Sequence, residues 1–200
     1  LPDVVGLVEV ENRNVVKLLA RNLGYKEYLI YDSPDKRGID LAILYKDNKD
    51  FKFVSKNEHI VSGSFFKKKP TRNILEAHFK LKGEDIFFFI NHWPSLGNVD
   101  GARIMAANTL KETMAKILKS KPNSHFVAMG DFNTIKNLKK SNELKIHPFS
   151  NVLLVGTGLS DLFELFKKRG LVTDKTPKGT YYYKRGRTWN HLDRVFISKN

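Results

Sequence analysis

Apolar positions along this chain come in short blocks with two different periods. Val4-Val5-Gly6-Leu7-Val8 is continuous and brief, the pattern of a strand buried on both faces. Val15, Leu18, Leu19 and Leu23 then recur at helical spacing, and Gly24 supplies the stop. Further strands are predicted over 28–31, 41–45, 51–54, 74–81 and 86–91. In the fourth of these, Ile74, Glu76, His78 and Lys80 alternate with Leu75, Ala77, Phe79 and Leu81, which predicts a sheet with one wet face. Ile86-Phe87-Phe88-Phe89-Ile90 is apolar on both sides and should be central. Ile104, Ala107, Leu110, Met114 and Ile117 predict a helix over about 102–119. Phe126-Val127-Ala128-Met129 reads as another strand, ending at Gly130. Ser160 is the expected N-cap of a short helix that Gly170 ends. Strands over 180–184 and 192–198 close the chain, and 136–150, polar and broken by Pro148, is the expected loop. The sum is a mixed α/β (α+β) chain with too many consecutive strands for simple βαβ winding.

Composition narrows the class. The 200 residues suit one domain with a substantial core, spanning 1–200, and 41% hydrophobic content excludes a disordered chain. No apolar run approaches the ~18 residues that span a bilayer. Lysine and arginine total 35 against 21 acids, a formal charge of +14, which favours a polyanionic partner: nucleic acid first, an anionic membrane surface second. The plainer alternative is a charged surface that serves solubility. Cysteine is absent, which excludes a disulfide framework and thiolate metal sites. The chain opens on Leu1 with no signal-like segment, so no localisation can be read, and it has the look of an internal piece of something longer.

Three apolar strands end in groups that can do chemistry. Strand 4–8 delivers Glu9. Strand 86–90 delivers Asn91, His92 and Ser95. Strand 126–129 delivers Asp131 and Asn133, which alternate and so can face one point. Strand-end loops on a rigid sheet are where catalytic groups concentrate. Each residue also has a plainer role: Glu9 as a helix-terminal acid, Asp131 and Asn133 as a turn, His92 as a polar strand end. His59, His78, His125 and His147 read as structural or exposed.

The stretches "PDVVGLVEVEN" (2–12), "RGIDLAILY" (37–45), "TRNILEAHF" (71–79), "INHWPS" (90–95), "VAMGDFN" (127–133), "GTYYY" (179–183) and "HLDRVFIS" (191–198) run in an order that resembles the endonuclease/exonuclease/phosphatase superfamily. The resemblance implies a four-layer sandwich of two mostly antiparallel β-sheets flanked by helices. It implies a divalent-metal phosphoesterase with Glu9 as the ligand of Mg²⁺ or Mn²⁺, a hard cation suited to carboxylate and water. His92 would contact the scissile phosphate and stabilise its developing charge, Asp131 would orient or deprotonate the attacking water or assist the leaving group, and Asn133 would fix Asp131 and the phosphate. Asp193 matches an aspartate that orients a later histidine, and Arg72 a phosphate-contacting arginine. The family pattern also has an asparagine-bearing strand before this chain's start and a Ser-Asp-His segment after its end. The expectation is therefore a domain truncated at both ends and poorly active by itself.

Charge placement bears on the substrate. Lys67-Lys68-Lys69 precede Arg72, and Lys184, Arg185 and Arg187 follow Tyr181-Tyr182-Tyr183 near Trp189. Basic groups beside aromatics suit nucleic acid, DNA or RNA, although strand packing is the simpler expectation for Tyr182. Alternatives are a lipid or phosphoinositide phosphoesterase of the same fold, for which no exposed aromatic hairpin is identifiable, and a non-catalytic nucleic-acid-binding remnant.

Overall fold

The computed structural model describes residues 1–67, 69–135 and 146–199. Along the chain run β1 (Val4–Val10), α1 (Arg13–Leu23), β2 (Glu27–Tyr31), β3 (Asp40–Tyr45), β4 (Phe51–His59), β5 (Ile74–Leu81), β6 (Glu84–His92), α2 (Asp100–Ser120) and β7 (His125–Asp131). There follow β8 (Leu159–Asp161), α3 (Leu162–Lys168), β9 (Tyr181–Tyr183), β10 (Thr188–Asn190) and β11 (Asp193–Ser198). They form a three-stranded sheet, β1-β3-β2, a six-stranded sheet, β4-β5-β6-β7-β11-β8, and a separate β9–β10 ribbon. Among the described residues every pairing is antiparallel except β6 with β7.

Side-chain alternation builds the layers. In β3, Leu41, Ile43 and Tyr45 enter a core shared with Leu75, Ala77, Phe79 and Ile90 of the larger sheet. Ala42 and Leu44 face the other way, onto Val16 and Ala20 of α1. In β6, Ile90 faces the smaller sheet, while Phe87 and Phe89 pack against Ala106, Leu110 and Met114 of α2. The order is helix, sheet, sheet, helix: the expected four-layer sandwich, with β6 apolar on both sides as expected. No helix is long and apolar enough to cross a membrane.

Several local expectations are corrected. The buried stripe of α1 is Val16 and Ala20, and Val15, Leu18 and Leu23 are exposed. Small Ala20 lets the helix lie close over Ala42 and Leu44, and that contact sets its face. The polar face of β5 is wet only at Lys80. Glu76 is buried against His59 (2.6 Å) and Asn57 (3.0 Å), and His78 is buried against Asp85 (2.6 Å) while stacking on Phe87. Ser160 does not cap α3, because β8 must stay extended to pair with β11; Asp161 accepts the Phe163 N–H instead. Of the expected 136–150 loop, 136–145 lie outside the described residues, and Pro148–Leu153 form a short π-helical segment that buries Phe149, Val152 and Leu153. His125 and His147 take structural partners, Glu84 and the Ile135 carbonyl.

Candidate active site

The parallel junction decides where polar strand ends meet. His92 is in register with Asp131 across β6–β7, and Asp131 with Asp193 across β7–β11. Register partners on neighbouring strands point to one side, so His92, Asp131 and Asp193 form a row. They share the side of Ile90 and Met129, which faces the smaller sheet. From that sheet comes Glu9. It sits at a break in the β1–β3 register, between Val8 and Val10, with a left-handed φ of 58°. A glutamate there is strained by roughly 1–2 kcal/mol, and the bulge re-aims its side chain toward the row. The outcome is a histidine between two carboxylates: His92 Nε2 lies 3.7 Å from Glu9 Oε1 and 3.7 Å from Asp131 Oδ2.

Asn133, also left-handed (φ 45°), secures Asp131 from below. Its amide N–H donates to Asp131 Oδ1 (2.8 Å), and its Nδ2 donates to Asp131 Oδ2 (3.0 Å) and to the Trp93 carbonyl (3.0 Å). Arg72 is buried and directs three N–H groups to protein: Nε to the His92 carbonyl, Nη2 to the Trp93 carbonyl, and Nη1 to Asp35 (2.8 Å). Its guanidinium thus anchors the end of β6, a role that sequence reasoning did not assign. Gly130 completes the frame. At φ 128°, a Cβ there would collide with the Asn91 carbonyl, so only glycine lets β7 approach β6 this closely.

The electrostatics separate the two central groups. Burial first, then the positive charges of Arg72 and Arg37, pushes the His92 pKa down to about 3, so the ring is neutral near pH 7. Its Nδ1 is buried without a partner while Nε2 faces the carboxylates, which favours the tautomer with the proton on Nε2. Burial, reinforced by Asp193 and Glu9 and opposed by the Asn133 amide and Arg72, raises Asp131 to about 6. That carboxylate is ionised at neutral pH yet basic enough to accept a proton.

Glu9, His92, Asp131, Asn133 and Asp193 therefore cluster at one end of the sandwich, with Arg72 behind them. Asp193 places its carboxylate beside Asp131, and its amide donates to Thr180 Oγ1 (3.1 Å). His191 turns away onto Phe163. Among the described residues, no three His, Cys, Asp or Glu side chains form a ready metal cage. Glu9, 61% exposed, offers one carboxylate open to water at the mouth, in a cluster where Asp131 already feels excess negative charge. Mg²⁺ is often held by one or two carboxylates plus waters and substrate phosphate, and this donor set fits that mode. Sequence reasoning missed Asp35, Arg37 and Gly130. The signals were an acid two positions before an arginine in "DSPDKRG" and the glycine that ends the apolar run in "VAMGDFN".

The full length of the chain, residues 1–200, matches the profile of the endonuclease/exonuclease/phosphatase family. The chain belongs to this family. Solved structures agree on the fold of this family member. The human Nocturnin catalytic domain with bound sulfate is 18% identical with a TM-score of 0.72, over 99% of this chain and 69% of that one. ANGEL2, a 2′,3′-cyclic phosphatase in complex with adenosine-2′,3′-vanadate, is 15% identical with a TM-score of 0.71, over 98% and 70%. The Bacteroides thetaiotaomicron mannosyl-6-phosphatase is 21% identical with a TM-score of 0.59, over 99% and 72%. Among curated proteins no sequence matches.

Proposed function

We propose that this family member is a divalent-metal-dependent phosphodiester hydrolase acting on nucleic acid. The observation that carries the reading is the neutral His92 Nε2 placed 3.7 Å from both Glu9 and Asp131. In-line hydrolysis needs a placed water, a proton acceptor and donors on the non-bridging oxygens. Ionised Asp131, held by Asn133, accepts the proton of the attacking water as the new P–O bond forms. His92 donates its Nε2 proton in a hydrogen bond to a non-bridging oxygen, where charge develops. The opposite P–O ester bond breaks, and the leaving oxygen takes up a proton from solvent water to depart as an alcohol, while Asp131 returns its proton to solvent. Glu9 would hold Mg²⁺ or Mn²⁺, which would supply positive charge against the negative charge developing in the transition state.

Nucleic acid is favoured over lipid by the β9–β10 ribbon. Here the sequence expectations need correcting, because an exposed aromatic hairpin is present and Tyr182 is not packed in a core. Tyr181, Tyr182, Tyr183 and Trp189 are all exposed, with Tyr182 and Trp189 paired across the strands at 5.1 Å. The tip that joins them is Lys184-Arg185-Gly186-Arg187. A hairpin that enters lipid would carry its apolar groups at the tip, whereas cations there suit a phosphate backbone with bases stacked on the rings. Thr180 Oγ1 ties the base of the ribbon to the amides of Leu192 and Asp193, beside the candidate site. The relatives named 2′,3′-cyclic phosphatase and mannosyl-6-phosphatase support phosphoester chemistry on this fold.

The test incubates the protein with Mg²⁺ or Mn²⁺ and single-stranded oligonucleotide, plasmid, phosphoinositide, sphingomyelin or a sugar phosphate. Chelator-sensitive cleavage of the nucleic acids is expected. Turnover confined to a lipid or sugar phosphate would reject the reading.

A further inference from the structure

Beside the proposed catalytic cleft lies a second recess of about 700 Å³, walled by Asp35, Lys36, Arg37, Phe65, Lys69 and Arg72 among others. Its two ends differ in character. Arg72 forms the inner wall and also holds the carbonyl of His92, and the Arg37 charge acts on the His92 ring, so the recess borders the candidate site. Arg37 stands at the outer side, its side chain 58% exposed, yet it is not loose. Asp35 grips it as a fork: Arg37 Nε donates to Oδ1 (3.1 Å) and Nη2 to Oδ2 (3.0 Å). The same carboxylate accepts the Arg37 amide (2.9 Å) and is itself pinned by buried Arg72. Burial works against ionised Asp35, but the hydrogen bonds from Arg37 and Arg72 outweigh it and hold the carboxyl far below its ordinary range.

An exposed arginine ordinarily keeps its rotamer freedom, and ordering such a side chain is a cost met at the moment of binding. Here the ordering is built into the fold. The fork leaves Arg37 Nη1 without a partner among the described residues, and Lys36 and Lys69 enter no ion pair among them either. One carboxylate against four cations gives the walls a large positive excess. Phe65, half exposed, adds an apolar flank.

We infer that this recess is a second phosphate subsite, in which Arg37, with Lys36 and Lys69, receives the phosphate next to the scissile one on a nucleic-acid strand. The inference rests on the proposed phosphoesterase reading and sharpens it: the preferred substrate carries at least two phosphates, which a sugar monophosphate does not. Arg37 is a binding residue for that phosphate, and Asp35 its positioning residue.

The experiment compares a single-stranded oligonucleotide with bis(p-nitrophenyl) phosphate, a diester with one phosphate. Kinetics are measured for the wild type, Arg37→Gln and Lys69→Gln. Oligonucleotide binding without divalent metal is measured against salt in parallel. The ratio of kcat/KM for the oligonucleotide over the small diester should fall about tenfold in each variant, mainly through KM, as expected for one charge-assisted hydrogen bond. The salt slope of binding should become shallower by about 0.7 for each cation removed from the strand's phosphates. Lys69 has no ion pair to disturb, so its variant separates loss of the subsite from disturbance of the Asp35 network. A ratio and slope like those of the wild type would overturn the subsite, and so would an equal loss on both diesters. If the wild type hydrolyses neither substrate, the phosphoesterase reading fails, and the binding arm alone decides the subsite.

Discussion

Replacing Asn133 with alanine tests the proposed site at its most constrained point. The substitution deletes two hydrogen bonds from Nδ2, to Asp131 Oδ2 and to the Trp93 carbonyl, both 3.0 Å, and leaves the amide bond to Asp131 Oδ1 in place. The Trp93 carbonyl keeps Arg72 and is not orphaned, so that bond is worth about 1 kcal/mol, while the bond to the carboxylate is worth about 1.5–3 kcal/mol. Alanine also tolerates a φ of 45° less well than asparagine, adding about 1 kcal/mol. The total is about 4 kcal/mol, or roughly 10 °C in Tm for a chain of this size. Asn133→Gly loses the same bonds without the left-handed penalty and should melt a few degrees above the alanine variant. Both variants free the Asp131 carboxylate, and a misplaced catalytic group typically loses about 10² in rate. Both also remove a donor to the ionised form, so the Asp131 pKa should rise further above 6 and the acid limb of kcat/KM should move to higher pH. Thermal melts and pH–rate profiles on oligonucleotide provide the check. An unmoved acid limb with nearly wild-type kcat would refute the assignment of Asp131 as proton acceptor and Asn133 as its holder.

Three further outcomes are expected. Gly130→Ala should lower Tm by at least ~6 °C in a melt followed by circular dichroism, because its Cβ would collide with the Asn91 carbonyl at a φ that alanine avoids. Asp85 accepts hydrogen bonds from Lys80, His78 and Lys121, which outweigh its desolvation and lower its pKa to about 2. A carboxylate depressed in the folded state stabilises above its unfolded pKa of ~4 and loses that effect as pH falls toward 2. Asp85→Asn should therefore cost about 1 kcal/mol at pH 7 and almost nothing at pH 2, read from urea midpoints. Trp189→Ala combined with Tyr182→Ala should weaken single-stranded DNA binding about tenfold or more with Tm nearly unchanged, since both rings are exposed; unchanged affinity in a fluorescence titration would remove the ribbon from the interface.

Much of the architecture was legible because burial leaves a periodic trace. β6 is apolar on both faces because it lies between two layers, and an unbroken Ile-Phe-Phe-Phe-Ile run admits little else. The strand-end grammar was legible for the same reason: apolar runs stop where the sheet meets solvent, and the polar groups that follow sit at one end of the sandwich. Where the trace failed, a competing tertiary contact took over. Alanine is a weak hydrophobic signal, so the Val16–Ala20 stripe of α1 was hidden beneath more conspicuous leucines. Glu76 and His78 read as solvent-facing because their partners, His59 and Asp85, lie on neighbouring strands. Arg72 and Asp35 lie 37 positions apart, and no local pattern links them. The convergence of Glu9 with His92 depends on a bulge, and a left-handed glutamate has no signature in sequence.

The parallel pairing of β6 with β7 carries a kinetic consequence. Antiparallel neighbours such as β5 and β6 meet through a tight turn and can zip early, but β6 and β7 can align only after the whole of α2 has folded back across the sheet. β11, from the far end of the chain, must then dock on β7. Contacts of such long sequence separation are entropically slow to close. His92, Asp131 and Asp193 thus depend on the contacts slowest to form. During refolding, catalytic competence should lag behind the recovery of secondary structure, and mild destabilisation should silence the cleft before the first hairpins of the large sheet melt.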